Sequence, residues 1–113
     1  MARVVIVMAV VLAGCGPIAY VSEVTHRAER SIDAARTAEA ERYAPYYWTR
    51  ATQYLHEAHE NAAHADFQGA NRFGRLAAEA GQLAEQEAIA AKQDPKRRPL
   101  DGKPEVAPAK EPR

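Results

Sequence analysis

The chain has 113 residues, 47% of them apolar by type, with 15 basic and 15 acidic side chains and a single cysteine. That length holds one domain at most, and one cysteine excludes an internal disulfide. The balanced charge gives no electrostatic ground for nucleic-acid binding, so no nucleic-acid partner is expected.

The chain opens on Met1-Ala2-Arg3, and Val4 to Ala13 is then an unbroken run of ten apolar residues. As a helix this run is about 15 Å long, against roughly 30 Å for a hydrocarbon core. It is too short to span a membrane and has the size of a signal-peptide hydrophobic segment behind a positive start. Leu12-Ala13-Gly14-Cys15 follows, with the small side chains that a signal peptidase accepts. The tetrapeptide resembles the bacterial lipobox. The resemblance implies cleavage between Gly14 and Cys15, a diacylglycerol on the Cys15 sulfur, and an acylated amine, with palmitate among the acyl chains. Two chains suffice for stable anchoring, at about 0.8 kcal/mol per buried methylene. The alternative is an ordinary secretory leader with an incidental cysteine. Removal of the leader takes Arg3 with it and leaves the mature chain near −1. Position +2 is Gly16 and not the aspartate that resembles an inner-membrane retention signal in enteric bacteria, which favours the periplasmic face of the outer membrane.

Residues 15–21 are expected to be a lipidated tether and residues 22–93 a helical domain. Alanine, glutamate, glutamine and arginine abound there, and nothing alternates as a strand would. A first helix is predicted over 22–42, capped by Ser22. Val21, Val24, Ala28, Ile32, Ala35 and Ala38 recur at spacings of three and four and share one face. Pro45 closes this segment and opens a second, over 45–63, with Tyr47, Ala51, Tyr54, Leu55, Ala58 and Ala62 as its stripe. Asp66 is the expected N-cap of a third helix over 66–93. Its stripe of Ala70, Phe73, Ala77, Ala80, Ala84, Ala88 and Ala91 is the most regular in the chain, widened by Leu76 and Leu83. Gly74 and Gly81 interrupt it, either to let a neighbouring backbone come close or as merely tolerated residues. Asp94-Pro95 ends it.

Short links make the three helices fold back antiparallel, giving an all-α three-helix bundle. An alanine core buries little area per residue, so the core should be thin and helped by a partner or by self-association. Residues 94–113 carry prolines at 95, 99, 104, 108 and 112 with six basic and four acidic residues, the composition of a disordered tail. Lys96-Arg97-Arg98 in it is a small basic patch that could touch lipid phosphates or anionic wall polymers, solubility being its plainer role.

Ser31-Ile32-Asp33-Ala34-Ala35, Tyr43-Ala44-Pro45, Ala51, Leu55 and Ala58, Ala65-Asp66-Phe67, and then Ala70, Ala77 and Ala84 together resemble a bacterial envelope family, the domain of unknown function 4398. The resemblance spans about Val21 to Ala91. It implies an α-helical periplasmic module with no known enzyme activity, found in short lipoproteins and beside peptidoglycan-binding OmpA-like domains. No OmpA-like domain follows in this sequence, so attachment to the wall would come from a partner. The chain departs from the family at Ala65, where glycine often precedes the aspartate. Asp66-Phe67 with Ala70, Phe73 and Ala77 is also similar to the second helix of a tetratricopeptide repeat, but no second copy occurs at a spacing of about 34 residues.

Chemistry is sparse. His56, Glu57, His59 and Glu60 fail the zincin pattern, whose histidines are four apart. His56, Glu60 and His64 share a face at steps of four and could hold zinc, yet a solvated polar face accounts for them better. No nucleophile–base pair or phosphate-binding glycine loop is present, so neither a catalytic residue nor a metal is expected. The densest feature is Tyr43, Tyr46, Tyr47 and Trp48. Helical residues are about 100° apart, so Tyr46, Tyr47 and Trp48 span about 200° and cannot share one buried face. Tyr46 and Trp48 are the candidate partner-binding residues, the alternative being that these rings are the bulk of the core. The sequence thus points to a non-enzymatic envelope lipoprotein. Its helical module would bind an OmpA-like or other envelope protein or peptidoglycan, or else would self-associate through alanine stripes paired between chains.

Overall fold

The computed structural model describes residue 4, residues 16–94, and residues 96 and 97. Most of the leader, Cys15 and the tail beyond Arg97 lie outside the described residues, as does Pro95. The fold is all-α, with four helices and no strand among the described residues: α1 (Gly16–Thr37), α2 (Ala40–Tyr43), α3 (Pro45–Ala63) and α4 (Phe67–Gln93). None is long and apolar enough to cross a membrane.

Two boundaries differ from those expected. First, α1 begins at Gly16, so residues 16–21, expected as a tether, are helical and Ser22 lies inside the helix. Pro17 falls in the first turn, where the amide donor it lacks would have had no intrahelical partner. Second, the segment expected to be continuous from 22 to 42 breaks after Thr37. Glu39 takes a left-handed conformation (φ 60°), its N–H donates to the Arg36 carbonyl at 2.9 Å, and the four-residue α2 follows. The break brings Ala40 and Ala44 inward, both essentially fully buried against Ala84 and Ala88 of α4. Ala38, Glu39 and Ala40 are all compatible with helix, so no residue type marked the break.

The turn from α3 to α4 is a Schellman motif. The Asp66 N–H donates to the Asn61 carbonyl at 2.8 Å and the Ala65 N–H to the Ala62 carbonyl at 3.0 Å. This geometry puts Ala65 in the left-handed region at φ 59°. Asp66 then caps α4, its carboxylate accepting from the Gly69 N–H at 2.9 Å.

α4 is the spine of the bundle. α1 and α3 each pack along it and touch one another far less. Gly74 faces Val24 and Gly81 faces Ser31, so α1 runs parallel to α4; His59 lies beside Glu29 and Trp48 beside Arg36, so α3 runs antiparallel to α1. Gly81 is there because the α1 backbone is there: a Cβ at 81 would sit 3.0 Å from the Ser31 carbonyl carbon and 3.2 Å from the Ile32 nitrogen. A Cβ at 74 would meet only the Val24 side chain closely, at 2.7 Å.

The core is as thin as the composition implies. Ala28, Ala35, Ala51, Ala58, Ala77, Ala84 and Ala88 are fully buried, joined by Val21, Val24 and Ile32, and no large side chain is completely enclosed among the described residues. The larger groups, Tyr43, Tyr47, Trp48, Tyr54 and Leu55, are half-buried and lie over the alanine clusters. Because the alanine stripes pack against one another inside the chain, they are not exposed for pairing between chains.

Candidate interaction surface

α3 starts immediately after the α2 crossover, and its first turn carries three aromatic rings in succession. The structure sends them in different directions. Tyr47 packs over the Ala35–Ala84–Ala88 cluster. Trp48 turns onto the same cluster and onto Ile32, Ala51 and Ala80, with the Arg36 guanidinium 5.7 Å from its ring centre. Tyr46 points outward and is 62% exposed, its ring meeting Tyr47 edge-on at 5.1 Å and 77°. Of the two candidate residues, Tyr46 is thus presented to solvent and Trp48 is largely a packing residue; they do not form one contact patch.

Tyr46 instead belongs to a ladder running down α3. Arg50 donates from Nη1 to the Tyr46 hydroxyl and from Nη2 to the Tyr54 hydroxyl, each at 2.6 Å. The guanidinium also lies over both rings, 5.5 Å and 5.4 Å from their centres. Spacings of four stack these three side chains on one helix face. The hydrogen bonds that Arg50 donates to Tyr46 and Tyr54 push its pKa further above its ordinary value, so the site is a permanent cation. It has no carboxylate partner among the described residues. Tyr54 continues the surface to α4, its ring 6.1 Å from that of Phe73. The ladder is written in the spacing of Tyr46, Arg50 and Tyr54, but the adjacent rings of Tyr46, Tyr47 and Trp48 are the denser signal in the sequence.

The end of the bundle above the ladder is also cationic and aromatic. Tyr43 has Arg42 at 5.8 Å and Lys92 at 5.3 Å from its ring centre. Exposed contacts of this kind contribute about 0.5–1 kcal/mol each. Lys92 also donates to Glu39 at 2.9 Å, tying the α1–α2 break to the last turn of α4. That bond and the Lys92 charge hold the Glu39 carboxyl below its ordinary value. The antiparallel course of α3 places this aromatic end opposite the Gly16 end. α1 spans 22 residues, which separates the two ends by about 30 Å.

His56, His59 and His64 do not converge on one another, although His59 and His26 of α1 both meet Glu29. His56 lies 3.5 Å from Glu60 on its own helix, whereas His59 reaches across to Glu29 of α1 at 3.5 Å. His64 is the exposed C-cap of α3. No group of three or more metal-ligating side chains is assembled among the described residues.

A family model described as Domain of unknown function (DUF4398) matches residues 25–98, which takes in α2, α3, α4 and most of α1. No curated protein and no solved structure matches the chain.

Proposed function

The chain belongs to the DUF4398 family, and from that premise we propose that it is a non-enzymatic lipoprotein of the bacterial envelope, held by lipid on Cys15 and presenting its helical module to an envelope partner. The observation that carries the reading is the order of segments at the start of the chain. A positively charged start and a ten-residue apolar run lead into Leu12-Ala13-Gly14-Cys15, and helix begins at once at Gly16. Two acyl chains at Cys15 anchor the module at the periplasmic face of the outer membrane, the side favoured by Gly16 after the cysteine.

From Gly16 onward α1 runs the length of the bundle. The aromatic end then stands about 30 Å from the anchor, facing the wall and the soluble proteins of the periplasm. Tyr46 and Tyr43, with Lys92 5.3 Å from the Tyr43 ring centre, offer an apolar face beside positive charge. That combination suits an envelope protein, or the sugar rings and carboxylates of peptidoglycan. A Cys15→Ser precursor is expected to lose membrane attachment; one that still fractionates with the outer membrane contradicts the reading. Photo-crosslinking from position 46 in living cells is expected to capture an envelope protein or a wall fragment, and the absence of any specific adduct would remove the aromatic end from the account.

A further inference from the structure

Below the aromatic end, α3 and α4 leave a groove of ≈ 190 Å³ between them, lined by Tyr47, Arg50 and Tyr54 on one side and Leu76, Glu79 and Leu83 on the other. Phe73, Leu76, Ala80 and Leu83 step along α4 by three, four and three, the repeat of a coiled-coil seam. Within one chain Ala80 is buried with Ile32 and Ala51 and the α3 rings line the Leu76 and Leu83 part of the seam, yet Leu83 remains 37% exposed. The charges on the groove say what completes it. Arg50 on the α3 rim is bonded to tyrosine hydroxyls and to no carboxylate among the described residues. Glu79 on the α4 rim makes no ion pair among them, with Arg27 and Arg75 lining the adjoining α1–α4 groove beside it. One groove therefore carries a cation on one rim and an anion on the other, neither in an ion pair among the described residues, which makes it complementary to itself.

We propose that this groove is the docking surface for a second copy of the chain, α3 of each copy lying on α4 of the other about a two-fold axis parallel to the helices. That axis sets the α3 rim of one copy against the α4 rim of its mate at the same height. Arg50 then meets Glu79 of the second copy, and the contact occurs twice. Tyr47, Tyr54, Leu76 and Leu83 of both copies close into a shared apolar layer of four helices. A two-fold axis across the helices would instead oppose Arg50 to Arg50 and Glu79 to Glu79, which like-charge repulsion disfavours. The parallel axis leaves both Gly16 ends pointing the same way, so both lipids reach one membrane. That last consequence rests on lipidation of Cys15; the interface does not.

The test uses the full chain in bacterial membranes with a photo-crosslinking residue at position 83. The expected product is an adduct of twice the chain mass. Arg50→Glu and Glu79→Arg, each alone, are expected to lower its yield by about tenfold or more, and the two together to restore it. Circular dichroism of each purified variant checks that the helices persist. The proposal is overturned by the absence of the adduct in the unsubstituted background, by capture of a different protein at position 83, or by a double variant no better than either single one. Membrane fractionation of the same cells reads anchoring separately, so failure of the interface is distinguishable from failure of lipid attachment.

Discussion

Ala65 stands where the Schellman turn requires a left-handed residue, and an alanine there costs about 1–2 kcal/mol relative to the right-handed region. Glycine removes that strain but gives back about 0.5–1 kcal/mol through its freer unfolded chain. Ala65→Gly is therefore expected to stabilise the bundle by about 0.5–1 kcal/mol, read as a higher urea midpoint with unchanged slope. Glu39 is the second left-handed residue, and its carboxylate is tied to Lys92. A carboxyl whose pKa is lowered on folding stabilises the fold above its unfolded pKa, and this stabilisation is lost as pH falls through the folded pKa. For Glu39 the window lies at and below its ordinary value of 4.5. Both groups are solvated, so the effect is small. Glu39→Gln is expected to lower the thermal midpoint slightly at neutral pH and to leave it unchanged well below pH 4.5, with thermal melts across that range as the check.

At the scale of the helices, the contact between α1 and α4 is set by the glycines. A Cβ at 81 meets the Ser31 and Ile32 backbone, which cannot retreat without moving α1. Gly81→Ala is expected to cost about 1–2 kcal/mol despite the roughly 1 kcal/mol that alanine gains in helix propensity. At 74 the obstacle is the Val24 side chain, so Gly74→Ala is expected to lie closer to neutral in the same denaturation series. Most helical positions were legible in the sequence because alanines recur at three and four, Pro45 marks a start and Asp66 a cap. The break at Glu39 was not legible, since it is imposed by Ala40 and Ala44 finding space on α4 and no breaker residue accompanies it. The helical course of residues 16–21, expected as a tether, was not legible for the opposite reason: glycine and proline at 16 and 17 are poor helix formers, although a first turn accommodates both. The crowding of Tyr46, Tyr47 and Trp48 correctly implied divergent rings. It did not reveal which ring faces out, because that depends on where α1 lies.

Among the described residues, parallel α1 and α4 with α3 antiparallel to both give the bundle two unlike ends. One holds Gly16 and the Ala65 turn; the other holds Tyr43, Tyr46 and the cations above them. The anchor proposed at Cys15 would turn that polarity into an orientation, with lipid below, the aromatic end above and the proposed docking groove along the flank. That orientation turns on the chemistry of one residue. Mass spectrometry of the amino-terminal peptide from the chain purified out of bacterial membranes tests it most directly. The predicted result is a peptide beginning at Cys15 and carrying a diacylglyceryl thioether and an N-acyl chain; a peptide that begins elsewhere, or an unmodified Cys15, would contradict it.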